Sequence, residues 1–245
     1  MSNKIIFSID VEPDLHTGKF DGITIGLSIF EGLCDKHNIK PTLFVTGTCI
    51  QEHPDIFTKL KKKGWDISSH GFSHKRFDEM SFSEKEDELK SVLKLFKNKL
   101  KMVPKGFRAP QHSIDSDTLD LLEKYGFEYD SSYTPLNLLQ LFFFPSRFKK
   151  WLGNFISPLN PYKIRKNLIE IPTSSLIIPF VSLTVRIFPK SLIRIYLYKL
   201  RWFYKEPVFY AHSWDFIKLN ESKVDSAFSH KRFIKNLDYL MSLQK

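Results

Sequence analysis

Trp65-Asp66-Ile67-Ser68-Ser69-His70-Gly71-Phe72-Ser73-His74 sets the frame in which the rest of the chain is read. Residues 65–69 have the length and composition of a short buried strand, and the strand delivers His70 at its C-terminal end, where Gly71 can turn the chain. His74 follows four residues later. That spacing predicts two imidazoles on one side of a helical turn, able to bind one zinc-type ion if a carboxylate arrives from elsewhere. Asp10 and Glu12, at the end of the apolar run Ile5–Val11, are the candidates to supply it.

Outward from this stretch the chain alternates strand and helix. Upstream, Ile5–Val11 reads as the first strand, residues 22–37 as a helix with Ile25, Ile29 and Leu33 at helical spacing, and Pro41–Gly47 as a second strand. Residues 54–63 read as a helix closed by Gly64. Downstream, Ser83–Leu100 is expected to be a helix capped by Ser83 with Glu86 three residues on. A strand near Gly106-Phe107-Arg108, a helix from Ser116 to Tyr125 and a strand Phe127-Glu128-Tyr129 leading to Asp130 follow. Ile169–Pro172 and Pro207–His212 read as further strands, and Ser226–Leu243 as the closing helix. This order predicts an α/β fold, a distorted (β/α) barrel with about six or seven parallel strands. Candidate site residues fall at strand C-terminal ends, which such a barrel brings together at one mouth. A chain of 245 residues fits one domain, here taken as residues 1–245.

Hydrophobic residues at 42% and charged residues at 26% describe an ordinary soluble chain, neither disordered nor membrane-spanning. The run before Asp10 is too short for a signal peptide, and Cys34 and Cys49 read as free buried thiols, so the expected compartment is the cytoplasm. The net charge of +10 is concentrated. Between Ser131 and Lys205 lie twelve basic side chains against the single acid Glu170, with 15 of the 36 aromatics. Such a segment seeks an anionic lipid surface or a nucleic acid, and no nucleic-acid motif accompanies it. A helix over 190–205 would bring Lys190, Arg194, Arg201 and Lys205 within about 60° of one another. Two readings compete. One is a core-packing helix with a solvated basic stripe; the other is an interfacial helix, with Leu138–Phe155 as a second, giving peripheral contact with the inner face of an anionic membrane.

Five segments carry a family resemblance: Ser8-Ile9-Asp10-Val11-Glu12, His70-Gly71-Phe72-Ser73-His74, Phe107-Arg108-Ala109-Pro110-Gln111, Tyr129-Asp130-Ser131-Ser132-Tyr133 and His212-Ser213-Trp214-Asp215. Their order and spacing resemble the polysaccharide deacetylases, the NodB-homology or carbohydrate esterase family 4 group, in a divergent branch with an acid-x-acid first motif. The resemblance covers most of the chain outside about 135–167 and 176–205, which read as basic, aromatic insertions. It implies a distorted barrel, one divalent metal ion, most commonly zinc, and removal of acetyl groups from N-acetylated sugars. By the same resemblance Glu12, His70 and His74 hold the metal, with Asp14 as the alternative carboxylate. Asp10 is the general base, Arg108 keeps it ionised, and His212 protonates the leaving nitrogen. The backbone N–H of Gln111 faces the oxyanion, and Asp130 and Asp215 are candidates to orient an imidazole, with capping of the turn before Ser131-Ser132 as the other reading of Asp130; Trp214 is a pocket wall or a core residue. His112, beside Gln111, could touch substrate, whereas His16, His37, His53 and His230 carry no spacing signal.

The expectation is therefore a metal-dependent hydrolase of an N-acetylated sugar, with a lipid-linked surface-glycan precursor as the narrower substrate. Hydrolysis of a non-sugar or cyclic amide on the same fold and a non-catalytic glycan- or membrane-binding protein with a relic site are the alternatives. Metal content and hydrolysis assays separate them.

Overall fold

The computed structural model describes residues 4–15, 17–138, 148–219 and 229–244. Its centre is a sheet built from β1 (Ile6–Val11), β2 (Thr42–Val45), β3 (Asp66–Ser69), β4 (Gly106–Phe107), β5 (Tyr129–Asp130), β6 (Tyr162–Lys163), β7 (Ile169–Glu170) and β10 (Val208–His212). Strand order is β10-β1-β2-β3-β4-β5-β7-β6. Every pairing is parallel except that of β6 with β7, so seven parallel strands curl into a half-barrel with one antiparallel edge strand.

Side-chain alternation explains why these strands read as continuous apolar runs. Phe7, Ile9 and Val11 of β1 belong to the main hydrophobic core outside the sheet, together with Leu43, Val45, Ile67, Phe209 and Ala211. Ser8 and Asp10, the alternate residues, are equally buried but take polar partners inside the curl. A parallel strand covered on both faces loses the polar face that marks an amphipathic one.

Packed outside are α1 (Leu27–His37), α2 (Gly47–Glu52), α3 (Pro54–Lys62), α4 (Phe82–Leu95), α5 (Ser116–Lys124), α6 (Phe148–Phe155), α7 (Ser182–Ile187), α8 (Lys190–Phe203) and α9 (His230–Ser242). α1 is entered through a wide turn, Gly22–Gly26, in place of the regular helix expected from residue 22. The cap of α4 is Ser81, not Ser83: its side chain accepts from Glu84 N–H while Glu84 Oε2 accepts from Ser81 N–H at 2.7 Å. The spacing rule found the right chemistry two residues late. The expected helix start at Ser226 lies outside the described residues, as do residues 139–147 of the expected second interfacial helix.

The sheet is not closed by strand pairing between β7 and β10. Instead Ser174 crosses the gap, donating its N–H to Val208 O at 3.1 Å and accepting the Val208 N–H on Oγ at 2.9 Å. A small hairpin, β8 (Ser175–Leu176) with β9 (Ile178–Pro179), continues along this seam. The residues closing it belong to the basic, aromatic segment.

At the base of β4 a Cβ on Gly106 would overlap the Tyr129 ring. That ring is fixed by donation of its hydroxyl to Asp66 Oδ2 at 2.6 Å and by a hydrogen bond with Ser68 Oγ at 2.9 Å. Gly106→Ala therefore overpacks a site that cannot relax cheaply, and we expect a loss of about 1–3 kcal/mol, with a fall in Tm of several degrees in thermal denaturation.

Candidate active site

Each segment singled out in the sequence ends at the same mouth. Asp10 lies at the end of β1, with Glu12 in the following turn, His70 follows β3, Arg108 follows β4, and His212 is the last residue of β10. The 3₁₀ turn Ser213–Phe216 then brings Trp214 and Asp215 back underneath.

The His70–His74 segment departs from expectation. It is irregular backbone, not a helical turn: Gly71 has φ +74° and His74 φ +61°. The two imidazoles meet because the loop folds back, with ring centroids 5.2 Å apart. Glu88 of α4 holds this shape, accepting from Phe72 N–H and Ser73 N–H at 3.0 Å each and from Ser73 Oγ at 2.7 Å. Nothing in the sequence singles out Glu88, because it acts from sixteen residues away on a loop the spacing rule treats as self-supporting.

Glu12, His70 and His74 present ligand atoms within 4.8 Å of one another, and they are the one such group among the described residues. Two observations fit these residues to a divalent cation. Glu12 Oε2 is buried beside His74 Nε2 without a hydrogen-bond donor. His70 Nδ1 contacts Arg108 O at 2.7 Å, and because a carbonyl can only accept, Nδ1 carries the proton and Nε2 keeps its lone pair. The alternative carboxylate, Asp14, is elsewhere: its oxygens accept from Asp21 N–H at 2.7 Å and Gly22 N–H at 2.9 Å, capping the turn that opens α1.

Asp10 is 2% exposed, with Oδ1 taking Arg108 Nη1 at 2.8 Å and Oδ2 lying 3.6 Å from His70 Nε2. Burial alone would raise its carboxyl, but the Arg108 guanidinium and the surrounding imidazoles outweigh that and hold it at about 2. Burial likewise opposes ionisation of Glu12, yet the His74 imidazole against Oε2 and the His212 charge bring it below the ordinary glutamate value. Both acids are carboxylates at neutral pH. Burial pushes His70 down to about 4, so it is neutral there, as a ligand must be.

Across the mouth, His212 stacks on Trp214 at 4.1 Å between centroids and contacts Tyr210 Oη through Nε2 at 2.9 Å. Asp215 Oδ2 accepts the His212 N–H at 2.8 Å and lies 3.7 Å from Nδ1. Burial would lower the His212 pKa, but Asp215 and Glu12 overcome it and raise it above the ordinary imidazole value. Asp215 is itself bound by Arg186 of α7, Nη2 to Oδ1 at 2.7 Å. Trp214 also reaches Glu12 Oε1 through Nε1 at 3.4 Å.

Asp130 requires correction. It faces no imidazole; it accepts from Ser132 Oγ at 2.7 Å and Ser132 N–H at 3.3 Å, and it is coupled to the buried carboxyl of Glu170. Burial raises both; the Asp130 charge adds to it at Glu170, which lies well above the usual range, whereas hydrogen bonding to Glu170 and Ser132 partly offsets burial at Asp130. Through Ser132 Oγ, which accepts the Ala109 N–H at 2.8 Å, Asp130 braces the Arg108–Gln111 loop. In that loop Gln111 and His112 both adopt positive φ, 54° and 52°, and no hydrogen bond among the described residues takes the Gln111 N–H. His112 is half-buried beside the site, with Nδ1 donating to Ser132 O at 3.0 Å and its ring against Tyr210. Tyr210, His112, Glu88 and Arg186 are the site neighbours the motifs left out. His16 lies outside the described residues, and the other unflagged histidines sit away from the mouth, His37 against Asp238 and His53 against Phe20.

Residues 30–129 match the polysaccharide deacetylase family. With the half-barrel and the five segments at its mouth, that match makes the chain similar to the polysaccharide deacetylases, the NodB-homology or carbohydrate esterase family 4 kind. It is 28% identical over 170 residues to a peptidoglycan deacetylase-like protein of Gibberella zeae, covering 66% of this chain and 49% of that one. The chain spans about half or less of the length of the first curated relatives it matches. Among solved structures, a Mycobacterium smegmatis protein assigned to the polysaccharide deacetylases superposes with a TM-score of 0.67 at 18% identity, covering 96% of this chain and 83% of that one. PuuE allantoinase superposes with a TM-score of 0.63 at 14% identity, covering 98% and 84%. At these identities both report the fold alone.

If the cluster holds the metal, His70→Ala and His74→Ala each lose it, and Glu12→Gln does so too, because three ligands are the minimum set. Asp10→Asn and Asp14→Asn retain it. Elemental analysis of protein purified without chelators checks the set; loss in Asp14→Asn with retention in Glu12→Gln would transfer the ligand role to Asp14.

Proposed function

We propose that this domain hydrolyses the acetamide of an N-acetylated sugar, with a divalent ion, most simply zinc, held by Glu12, His70 and His74. The observation that carries the reading is the opposition of an ionised, Arg108-paired Asp10 and a protonatable His212 across the Glu12–His70–His74 cluster. When bound, such an ion lowers the pKa of water and polarises the acetyl carbonyl.

The chain's own residues supply the rest. Asp10 Oδ2, with its partner oxygen engaged by Arg108, accepts the proton from the attacking water. The Gln111 N–H donates to the oxygen on which charge develops, an interaction worth about 3 kcal/mol. His212, protonated through the field of Asp215, gives a proton to the sugar nitrogen as the C–N bond breaks. Water is divided between the products: the hydroxyl joins the acetyl carbon to give acetate, and the nitrogen leaves as an amine. Trp214 stacks on the His212 ring and fixes its plane at the mouth. A lipid-linked glycan precursor is the narrower substrate, and its support is the surface described in the next subsection. No observation favours a non-sugar amide beyond the shared fold.

His212→Ala is expected to lower kcat by about a hundredfold or more on a soluble N-acetylglucosamine oligomer, with metal content unchanged. Asp215→Asn tests the pKa argument. Its carboxylate favours the imidazolium, so removing it lowers the His212 pKa, and the protonated acid is lost at lower pH. The alkaline limb of the kcat profile then moves to lower pH. An unmoved limb would take the proton-donor role away from His212.

A further inference from the structure

The outward face of α8 is apolar where a soluble protein's helix would be polar. Ile193, Leu197 and Leu200 pack inward. On the opposite side Ile195, Tyr198 and Trp202 are 51%, 61% and 62% exposed, and Leu192 and Phe203 lie open beside them. Tyr198 and Trp202 touch edge to face with centroids 5.4 Å apart, which joins them into one patch. Arg194, Lys199 and Lys205 are exposed around it, and the segment from Lys190 to Lys205 contains no acid.

The expected basic stripe is thereby redrawn. Two of its four members turn toward α9, Lys190 over the Tyr239 ring at 5.0 Å and Arg201 donating to Leu243 O at 2.9 Å. What faces outward is an aromatic and aliphatic centre with a cationic border. Neighbouring elements extend it: Leu152 of α6, Ile156 just beyond it and Ile177 in the seam hairpin are exposed. The hairpin is tied to α8 by Tyr196 Oη, which accepts the Leu176 N–H at 3.2 Å. Beneath Trp202, Phe203 and Lys205 opens a cavity of about 710 Å³, bounded by Leu159, Pro161 and Val208.

We infer that this flank is a docking surface for an anionic lipid bilayer. A contiguous exposed apolar patch of this kind marks an interaction site, and aromatic side chains bordered by lysine and arginine match the acyl boundary and the phosphate layer of one membrane leaflet. A second copy fits poorly. A two-fold contact would set the same cations against each other; of the acids nearby, Glu170 is fully buried and Glu206, at the cavity, is paired with Lys4 at 3.7 Å. Among the described residues no helix is long and apolar enough to cross a membrane, so the contact is peripheral. α8 runs from α7, which reaches Asp215 at the mouth, to the cavity beside Ile6 and Val208 at the strand starts. Laid on a membrane, it puts the barrel axis along the lipid surface, with the mouth opening at headgroup level. The inference does not depend on the catalytic reading.

Sedimentation of the intact chain with phosphatidylcholine vesicles, with and without phosphatidylglycerol, tests it at low and high salt. Binding is expected only with phosphatidylglycerol, weakened by salt, and accompanied by a blue shift of tryptophan emission that Trp202→Ser abolishes. Arg194→Gln with Lys199→Gln should reduce partitioning more than tenfold, about fivefold per cation, whereas Lys97→Gln with Lys99→Gln, on another face, should leave it within twofold. Circular dichroism and metal content of each variant confirm that it is folded. No binding to anionic vesicles at low salt overturns the inference, as does equal loss in the two double variants, which would make the attraction one of net charge. Salt-sensitive binding to polyglutamate without binding to vesicles would assign the flank to an acidic protein. A dimer in solution that Trp202→Ser dissociates would assign it to a second copy.

Discussion

A guanidinium with no solvent exposure sits inside the half-barrel, and the site is arranged around it. Arg108 places Nη1 on Asp10, Nη2 on Ser8 Oγ and Ser131 Oγ, Nε on Ser131 O, and its plane 4.1 Å from the Phe44 ring centroid. A charge this deep is tolerated only if it is paired and its donors are satisfied. Removing one partner would leave the other uncompensated, at a cost of about 3–5 kcal/mol. The polar residues of β1, and Ser131 just after β5, are thereby explained by one neighbour. Ser8 and Ser131 pass the constraint on, donating to Phe209 O of β10 at 2.9 Å and to Ile171 O after β7 at 2.7 Å. Arg108 therefore links both sides of the unpaired seam. It also fixes which oxygen of Asp10 faces the mouth.

Around this centre, acids act on the backbone more often than on side-chain chemistry. Glu88 takes the N–H groups of Phe72 and Ser73, Asp14 those of Asp21 and Gly22, and Asp215 that of His212. Each fixes a loop that follows or faces a strand end. Carboxylate acceptors make stronger bonds to backbone N–H than neutral groups do, so loops with little secondary structure can still hold ligands within an ångström. The positive φ at His74, Gln111 and His112 persists on the same terms, because the surroundings over-determine it.

This division explains what the sequence revealed. The strands, their order and the convergence of Asp10, Glu12, His70, Arg108 and His212 were legible, because strand ends in a parallel barrel meet whatever their separation along the chain. His70 and His74 were paired correctly for the wrong local reason: a four-residue spacing suggested a helical turn, whereas a folded loop held by Glu88 brings the rings together. Asp130 stood between orienting an imidazole and capping the turn before Ser131-Ser132, because an acid followed by serines at a strand end looks the same in both cases; the structure has the cap, with a second buried carboxyl beside it. Its partner, Glu170, lies forty residues on in a segment without a motif. Asp14 and Glu12 are separated by one residue, and only the position of the Asp21 and Gly22 amides distinguishes a cap from a ligand.

The basic, aromatic segment is the least legible part and joins the two halves of the functional argument. Its composition is surface-like, yet Phe180, Leu197 and Leu200 complete the core and Ser174 closes the sheet. Arg186, 1% exposed, reaches inward from α7 to Asp215 and so steadies the residue that sets the charge of His212. Three residues after α7 ends, α8 begins and turns its aromatic face outward. One short stretch of chain thus carries a contact with the site and a contact with the exterior. Arg186 is the link on the inner side: its guanidinium lies between that carboxylate and the Phe233 ring, 5.6 Å from its centroid, so the position of α7 helps to set that of Asp215.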